Sequence, residues 1–206
     1  MDLLDTASFE ERVKEAVGAF GRVDILVHNG GITQRGYVME TALEVQRRVM
    51  ELDYFSYVAL TKAMLPYFVG RRSGHFVVMS SVMGKIGTPK RSAYAAAKHA
   101  LHGFFDCLRA EMAEFNVKVT VLTPGYIKTN ISQHAVTKDG TALGKASANI
   151  ESGLPADRAA KQMMRAIRKE RYEAYIGKRS MEWVAVGLNR LAPGLVMKLA
   201  PKFVPK

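Results

Sequence analysis

The stretch "HFVVMSSVMGKIGTPKRSAYAAAKHALHGFFDCLRAEMAEFNVKVTVLTPG", residues 75–125, holds a strand, a long helix and a second strand in unbroken order. HFVVMSS (75–81) and VKVTVLTPG (117–125) are apolar and rich in valine, as strands require. RSAYAAAKHALHGFFDCLRAEMAEF (91–115) lies between them, with Leu101, Phe105, Leu108 and Met112 in a stripe at helical spacing that reads as core. A strand, a long helix and a second strand close a right-handed crossover, and such crossovers build parallel sheets.

The same alternation continues outward. Upstream, SFEERVKEAVGAF (8–20) reads as a helix opened by a capping box of Ser8 and Glu11. VDILVHN (23–29) is a continuous apolar run, the pattern of a strand buried on both faces. TALEVQRRVMELDYFSYVALTKAMLPYF (41–68) reads as a long helix, capped by Thr41 and Glu44 and stopping near Pro66. Downstream, residues 129–154 are rich in Gly, Ser and Thr without a period, which predicts a mobile loop. A helix (155–169), a strand EAYIG (173–177) and an apolar helix from Met181 to Leu191, broken by APG (192–194), complete the chain. The pattern predicts one α/β domain over 1–206, a doubly wound parallel sheet.

Composition narrows the class. The 206 residues are 48% apolar and 24% charged, ordinary for a globular domain. No run of eighteen apolar residues and no basic start with an apolar core exist, so neither a membrane span nor a signal peptide is expected. Cys107 is the single cysteine, which excludes an internal disulfide and fits a reducing compartment. The formal charge is +11, of which the last 46 residues carry +8, from eleven Lys/Arg against three Asp/Glu. No nucleic-acid motif accompanies that excess, so nucleic acid is not an expected partner. A solvated basic face explains it most simply. A basic end beside apolar residues also suits contact with an anionic membrane surface.

Within the long helix, Tyr94 and Lys98 stand at i and i+4 and share a face. The pair alone is a weak signal, since a surface tyrosine and lysine meet this spacing by chance. Chemistry makes it worth pursuing: a nearby cation favours tyrosinate over tyrosine, which suits a tyrosine to general acid/base work. Ser81 stands thirteen residues before Tyr94 at a strand end, where an open α/β sheet gathers its ligand crevice. Its hydroxyl is placed to hold a substrate oxygen within reach of Tyr94.

SSVMGKIGTPKRSAYAAAK resembles the active-site pattern of the short-chain dehydrogenase/reductase family, with Ser81, Tyr94 and Lys98 in the matching positions. LVHNGGI (26–32) is similar to the family's Asn-Asn-Ala-Gly strand end. LTPGYIKT (122–129) is similar to its Pro-Gly segment and the threonine that meets the nicotinamide carboxamide, and TKAMLPYF to the end of the preceding helix. FFDCLRAEM, TPGYIKTNIS and LAPGL resemble the branch of dehydrogenase/reductase member 7B and its relatives, whose eukaryotic members are membrane-anchored through an N-terminal segment. The resemblance implies a Rossmann-like fold and hydride exchange between NADP or NAD, NADP being favoured, and a carbonyl/alcohol substrate. In this reading Tyr94 is the acid, Ser81 orients the carbonyl and Lys98 supports Tyr94 while holding the cofactor ribose. It further implies cofactor contacts at Asp2, Asn29, Gly30, Gly31, Pro124, Gly125 and Thr129. A homodimer or homotetramer is implied too, in the cytoplasm or, in a eukaryote, at the endoplasmic reticulum membrane.

Three departures stand out. His28 and Gly30 replace the family's usual Asn and Ala, and His28 reads as a structural residue. Asp53 stands where the family usually has an asparagine that relays a proton to the lysine; it joins the catalytic set, with a negative charge that works against Lys98. No Gly-rich phosphate turn follows a strand, and Asp2 matches the aspartate ending the family's third strand. The fold is therefore expected to be N-terminally incomplete, lacking its first βαβαβ portion, with an apolar edge at 23–29.

One rival is a catalytically silent fold used for binding or oligomerisation through its long helices. The loop at 129–154 and the apolar C-terminal helix suggest a lipophilic substrate. His99 and His102 lack an acidic or thiol partner in register, so no metal is expected. Cys107 reads as a buried structural thiol.

Overall fold

The structure, a computed structural model, describes residues 1–144, 147–178 and 181–202. Lys145 and Ala146 of the segment read as a mobile loop, and Arg179 and Lys206 of the basic end, lie outside the described residues. The regular elements in chain order are α1 Phe9–Phe20, β1 Ile25–His28, β2 Gln34–Arg35, α2 Leu43–Met50, α3 Ser56–Arg71, β3 Gly74–Met79, α4 Ser92–Glu111 and β4 Val117–Pro124. They continue as β5 Ile127–Lys128, β6 Val136–Thr137, α5 Ala148–Glu151, β7 Leu154–Pro155, α6 Ala156–Arg168, β8 Glu173–Ile176, α7 Met181–Leu191 and α8 Pro193–Leu199.

Four strands pair in parallel in the order β1-β3-β4-β8. Ile25 stands opposite His75, Val117 opposite Gly74, and Val121 opposite Glu173. On one face Phe76, Val78, Val119 and Val121 pack against Phe9 of α1, Phe68 of α3 and Phe105 of α4. On the other, Val77 and Leu122 meet Ala159, Ala166 and Ile167 of α6. Helices thus cover both faces of a parallel sheet, the Rossmann-like α/β arrangement the alternation predicts.

Burial of β1 on both faces does not hold. Val27 pairs in register with Val77 and shares its face, yet Ile25 and Val27 are 44% and 48% exposed. The helix on that face, α6, packs over β4 and β8 and leaves β1 open.

Neither capping box forms. Ser8 sits in a tight turn, Thr6–Ser8, and its hydroxyl donates back to Asp5 O at 2.9 Å. Thr41 likewise donates to Tyr37 O at 2.8 Å, and Ala42 occupies the cap of α2. A hydroxyl that donates backwards leaves the cap it was expected to make.

The helix predicted to stop near Pro66 runs on to Arg71. Proline inside a helix costs about 3 kcal/mol. Met64 and Phe68, on either side of it, are fully packed against the sheet, and that burial holds the next turn in place. Phe68 also lies so close to Gly74 that a Cβ there would meet its ring at 2.2 Å, so only glycine starts β3. Between α2 and α3 the chain makes one wide π turn, Glu51–Phe55, which turns Asp53 fully inward.

Residues 129–154 are more ordered than a loop without a period suggests. Gln34–Arg35 pairs with Val136–Thr137, and Ile127–Lys128 with Leu154–Pro155. Pairs of two residues are too short to leave a period in sequence. Cys107 corrects another expectation, because it is exposed. It shares the outer side of α4 with Gly103 and Asp106, opposite the buried stripe of Leu101, Phe105 and Leu108.

Candidate active site

β1, β3 and β4 run parallel, so the segments leaving their C-terminal ends converge at one end of the sheet. A cavity of about 530 Å³ lies there. Asn29, Gly30 and Gly31 after β1 line it, as do Ser80 and Ser81 after β3. Tyr94 from the first turn of α4, and Pro124, Gly125 and Thr129 from the end of β4 onward, complete that wall.

Ser81 is extended, at φ −167° and ψ 164°, and caps the short turn Val82–Gly84 by accepting a hydrogen bond from Met83 N at 3.1 Å. That bond uses an oxygen lone pair and leaves the hydroxyl proton for a ligand. Ser80 beside it is held from behind: its hydroxyl lies 3.0 Å from His102 Nε2 and donates to Lys98 O at 3.2 Å. Burial, helped by Lys85, brings His102 down to about 4, so the ring is neutral at pH 7.

Tyr94 stands between two cations. Lys98 Nζ lies 5.5 Å and Arg91 Cζ 6.0 Å from its ring centroid. Lys98 is buried behind the cavity, donating to Met79 O at 3.2 Å and pairing with Asp53 Oδ2 at 3.2 Å. Burial pulls the ammonium down, but Asp53, with Tyr57 and Tyr94, outweighs it and holds Lys98 above the ordinary lysine range. Burial pushes the Asp53 carboxyl up, against Lys98 and the Ile32 N–H, which donates to Oδ1 at 2.7 Å.

Tyr57 is a residue the sequence did not single out. Its hydroxyl donates to Gly30 O at 2.6 Å, and Lys98 Nζ lies 5.3 Å from its ring centroid. Burial raises Tyr57 to about 12, so it stays a donor. His28 stacks on it at 4.7 Å and meets Thr61 Oγ1 at 2.9 Å, while its Nδ1 has no partner. Burial brings His28 down to about 3, which makes it a neutral structural ring.

Glycines on this lining are required by the protein's own packing. A Cβ on Gly31 would stand 3.1 Å from Asp53 Oδ1, and one on Gly125 2.7 Å from Tyr175 Oη. At Gly30, Leu3 occupies the space an alanine methyl takes. Gly30, Gly31 and Gly125 line the cavity beside Asn29 and Thr129, a set of residues that fits a nicotinamide cofactor.

The structure therefore brings Ser81, Tyr94, Asn29, Gly30, Gly31, Pro124, Gly125 and Thr129 to one cavity, with Lys98 and Asp53 directly behind Tyr94. Asp2 is outside the lining; it is exposed, and its carboxylate accepts from Leu4 N at 2.9 Å. Arg91, Thr33 and Glu182 also line the cavity, and the sequence reading missed them. Arg91 was hidden among the basic residues of TPKRSAY. His99 bonds within its own helix, to Ala95 O at 2.8 Å.

Comparison with known proteins then decides the family. The family model described as short chain dehydrogenase matches residues 1–140. The chain belongs to the short-chain dehydrogenase family. It is 46% identical over 198 residues to dehydrogenase/reductase SDR family member 7B of Mus musculus, covering 96% of this chain and 61% of the mouse protein. This short-chain dehydrogenase thus spans less than two thirds of that curated relative. Among solved structures, a short-chain dehydrogenase from Streptomyces avermitilis superposes with a TM-score of 0.81 at 28% identity, over 96% of this chain and 76% of that one. ElxO, solved with NADP bound, superposes with a TM-score of 0.60 at 29% identity, over 62% of this chain and 52% of that one.

Proposed function

We propose that this chain is an NAD(P)-dependent oxidoreductase acting on a carbonyl/alcohol pair. The observation that carries the reading is the convergence of Ser81 and Tyr94 on one cavity, with Lys98 5.5 Å from the Tyr94 ring. When bound, the nicotinamide supplies or accepts the hydride. Tyr94 gives the proton to the forming alkoxide oxygen in the reducing direction and takes it back in the other. Ser81, already anchored through Met83 N, donates to the carbonyl oxygen and fixes its distance from Tyr94. Lys98 keeps a positive charge beside Tyr94 and holds the ribose. Asn29, Gly30, Gly31, Pro124, Gly125 and Thr129 hold the rest of the cofactor half. NADP is the favoured form, supported by the NADP-bound relative ElxO.

The test is a cofactor and activity measurement on the purified chain. NADPH or NADH is expected to raise the melting temperature, and Tyr94→Phe to lower carbonyl reduction by about 10²–10⁴-fold with the shift retained. Activity that survives Tyr94→Phe sinks the assignment. Cofactor shifts absent from wild type favour the silent binding or oligomerisation module.

A second reading concerns location and assembly. Met181, Trp183, Val184, Leu191, Leu195 and Met197 leave large apolar area exposed on α7 and α8, beside Arg190 and Lys198. That combination supports docking on an anionic membrane surface from the cytoplasmic side. Among the described residues no helix is long and apolar enough to cross a membrane. Flotation with phosphatidylserine vesicles, lost on Trp183→Glu with Leu191→Glu, tests it. Exposed Leu43 at the start of α2 and Phe55 at the α2–α3 junction support pairing with a second copy, which light scattering would read.

A further inference from the structure

Arg91 is a buried cation without a counterion. It is 7% exposed, lines the same cavity as Ser81 and Tyr94, and its guanidinium donates to Thr33 Oγ1. Arg35 is its neighbour, since Gly36 N donates to Lys90 O at 3.3 Å and ties the two segments together. Arg35 Nε is buried with no hydrogen-bond partner. Among the described residues no Asp or Glu oxygen lies within 4.0 Å of either guanidinium, by the ion pairs the fold contains. Glu182 of α7 is the carboxylate on the cavity lining; its Oε2 is buried with no hydrogen-bond partner, and no ion pair joins it to either arginine.

Arg91 is buried and Arg35 beside it is partly so; a cation withdrawn from water next to another cation is costly unless an anion joins it. The cost shows: burial, with Arg35 adding to it, brings Arg91 down to about 10, where it is still charged at pH 7. A guanidinium carries five N–H donors in a planar fork that matches carboxylate and phosphate oxygens, and one of these donors goes to Thr33. Apolar side chains of Met79, Val82, Met83, Ile127, Ile131 and Ile150 also line the cavity, beside the polar groups already named.

Resting on the oxidoreductase reading, we infer that the substrate carries an oxyanion, a carboxylate or a phosphate, which Arg91 grips inside the cavity while Arg35 adds its charge beside it. The rest of the substrate is apolar. Arg91 stands three residues before Tyr94 in the chain and faces the same space, so its grip sets how far the reacting carbon lies from the anion. A neutral lipophilic ketone would leave the arginines unpaired, so specificity comes from the anion and not from apolar fit alone.

Binding tests this without turnover. Octanoate, octyl phosphate and 1-octanol are titrated into the purified chain, with NADPH present and absent, and affinity is read from melting shifts. The two anions are expected to bind at least tenfold more tightly than the alcohol, and the stronger one identifies the oxyanion. Arg91→Met removes that preference. Arg165→Gln, on the exposed side of α6, keeps it and excludes a general effect of the +11 charge. If Arg91→Met does not fold, Arg35→Met must cut the preference several-fold. Octanol binding as well as the anions overturns the inference, as does a preference that survives Arg91→Met or, where that variant does not fold, Arg35→Met. A preference abolished by saturating NADPH also overturns it, because the arginine then serves a cofactor phosphate. An anion preference without any cofactor shift supports the oxyanion site and overturns the oxidoreductase reading instead.

Discussion

Lys98 Nζ lies 3.2 Å from Asp53 Oδ2, and the two side chains are 5% and 0% exposed. No water screens such a pair, so each charge is felt strongly by its neighbours. The wide turn at Glu51–Phe55 puts the carboxylate there, and Ile32 N holds it in place. At Tyr94 the carboxylate offsets part of the lysine's field.

Asp53→Asn is therefore expected to raise kcat by roughly 3–10-fold, or ~0.7–1.4 kcal/mol at the transition state. The amide oxygen still accepts from Ile32 N, and Lys98 keeps Met79 O. Asp53→Leu removes both the acceptor and the counterion and strands a buried ammonium, which should cost about 3–5 kcal/mol of stability. Steady-state kinetics and urea unfolding separate the two effects. An asparagine variant no faster than wild type would remove Asp53 from the reacting machinery.

Tyr57→Phe deletes the 2.6 Å bond to Gly30 O and nothing else of size. One buried carbonyl then lacks its donor, and stability should fall by about 1–2 kcal/mol. Gly30 lines the cavity, so cofactor affinity should weaken several-fold while kcat changes little. A loss of stability with unchanged cofactor affinity would make Tyr57 a core residue only.

His28 gives the fold a defined acid sensitivity. Its folded value, about 3, lies below the ordinary 6.5, so the unfolded chain binds the proton more readily between the two. Stability is complete above pH 6.5 and is lost as pH falls towards 3. The loss should reach roughly 2 kcal/mol by pH 5, from His28 alone. His102, brought down to about 4, adds in the same direction. Urea midpoints from pH 7.5 to 5 check this, and His28→Asn should flatten the slope. A slope unchanged by that variant would put the acid sensitivity elsewhere.

The crossover of residues 75–125 was legible because a buried strand and an amphipathic helix each leave a period in sequence. Helical spacing put Tyr94 and Lys98 on one face, a weak signal by itself; Ser81, Tyr94 and Lys98 became legible as a set through the resemblance of residues 80–98 to the short-chain dehydrogenase pattern. What escaped was set by tertiary contact. Arg91 looks like any residue of a basic loop until Thr33 and the cavity surround it. The two-residue pairings of 127–155 are too short to show a period. Pro66 was read as a stop because its cost is local, whereas the burial of Phe68 that offsets it is not.

The open face of β1 carries the last prediction. Ile25 and Val27 are about half exposed, side by side on a strand whose outer edge pairs with no other described strand. An apolar, unpaired edge is a template for another chain. The purified chain is therefore expected to self-associate as its concentration rises. Lysine is the residue that edges use against such pairing, so Ile25→Lys with Val27→Lys should keep it monodisperse by light scattering. Both positions face away from Phe76 and Phe105, so the core should tolerate the change with at most about 1 kcal/mol of stability lost. Equal self-association in the double variant would move the contact to another surface, with the exposed apolar residues of α7 and α8 the next to substitute.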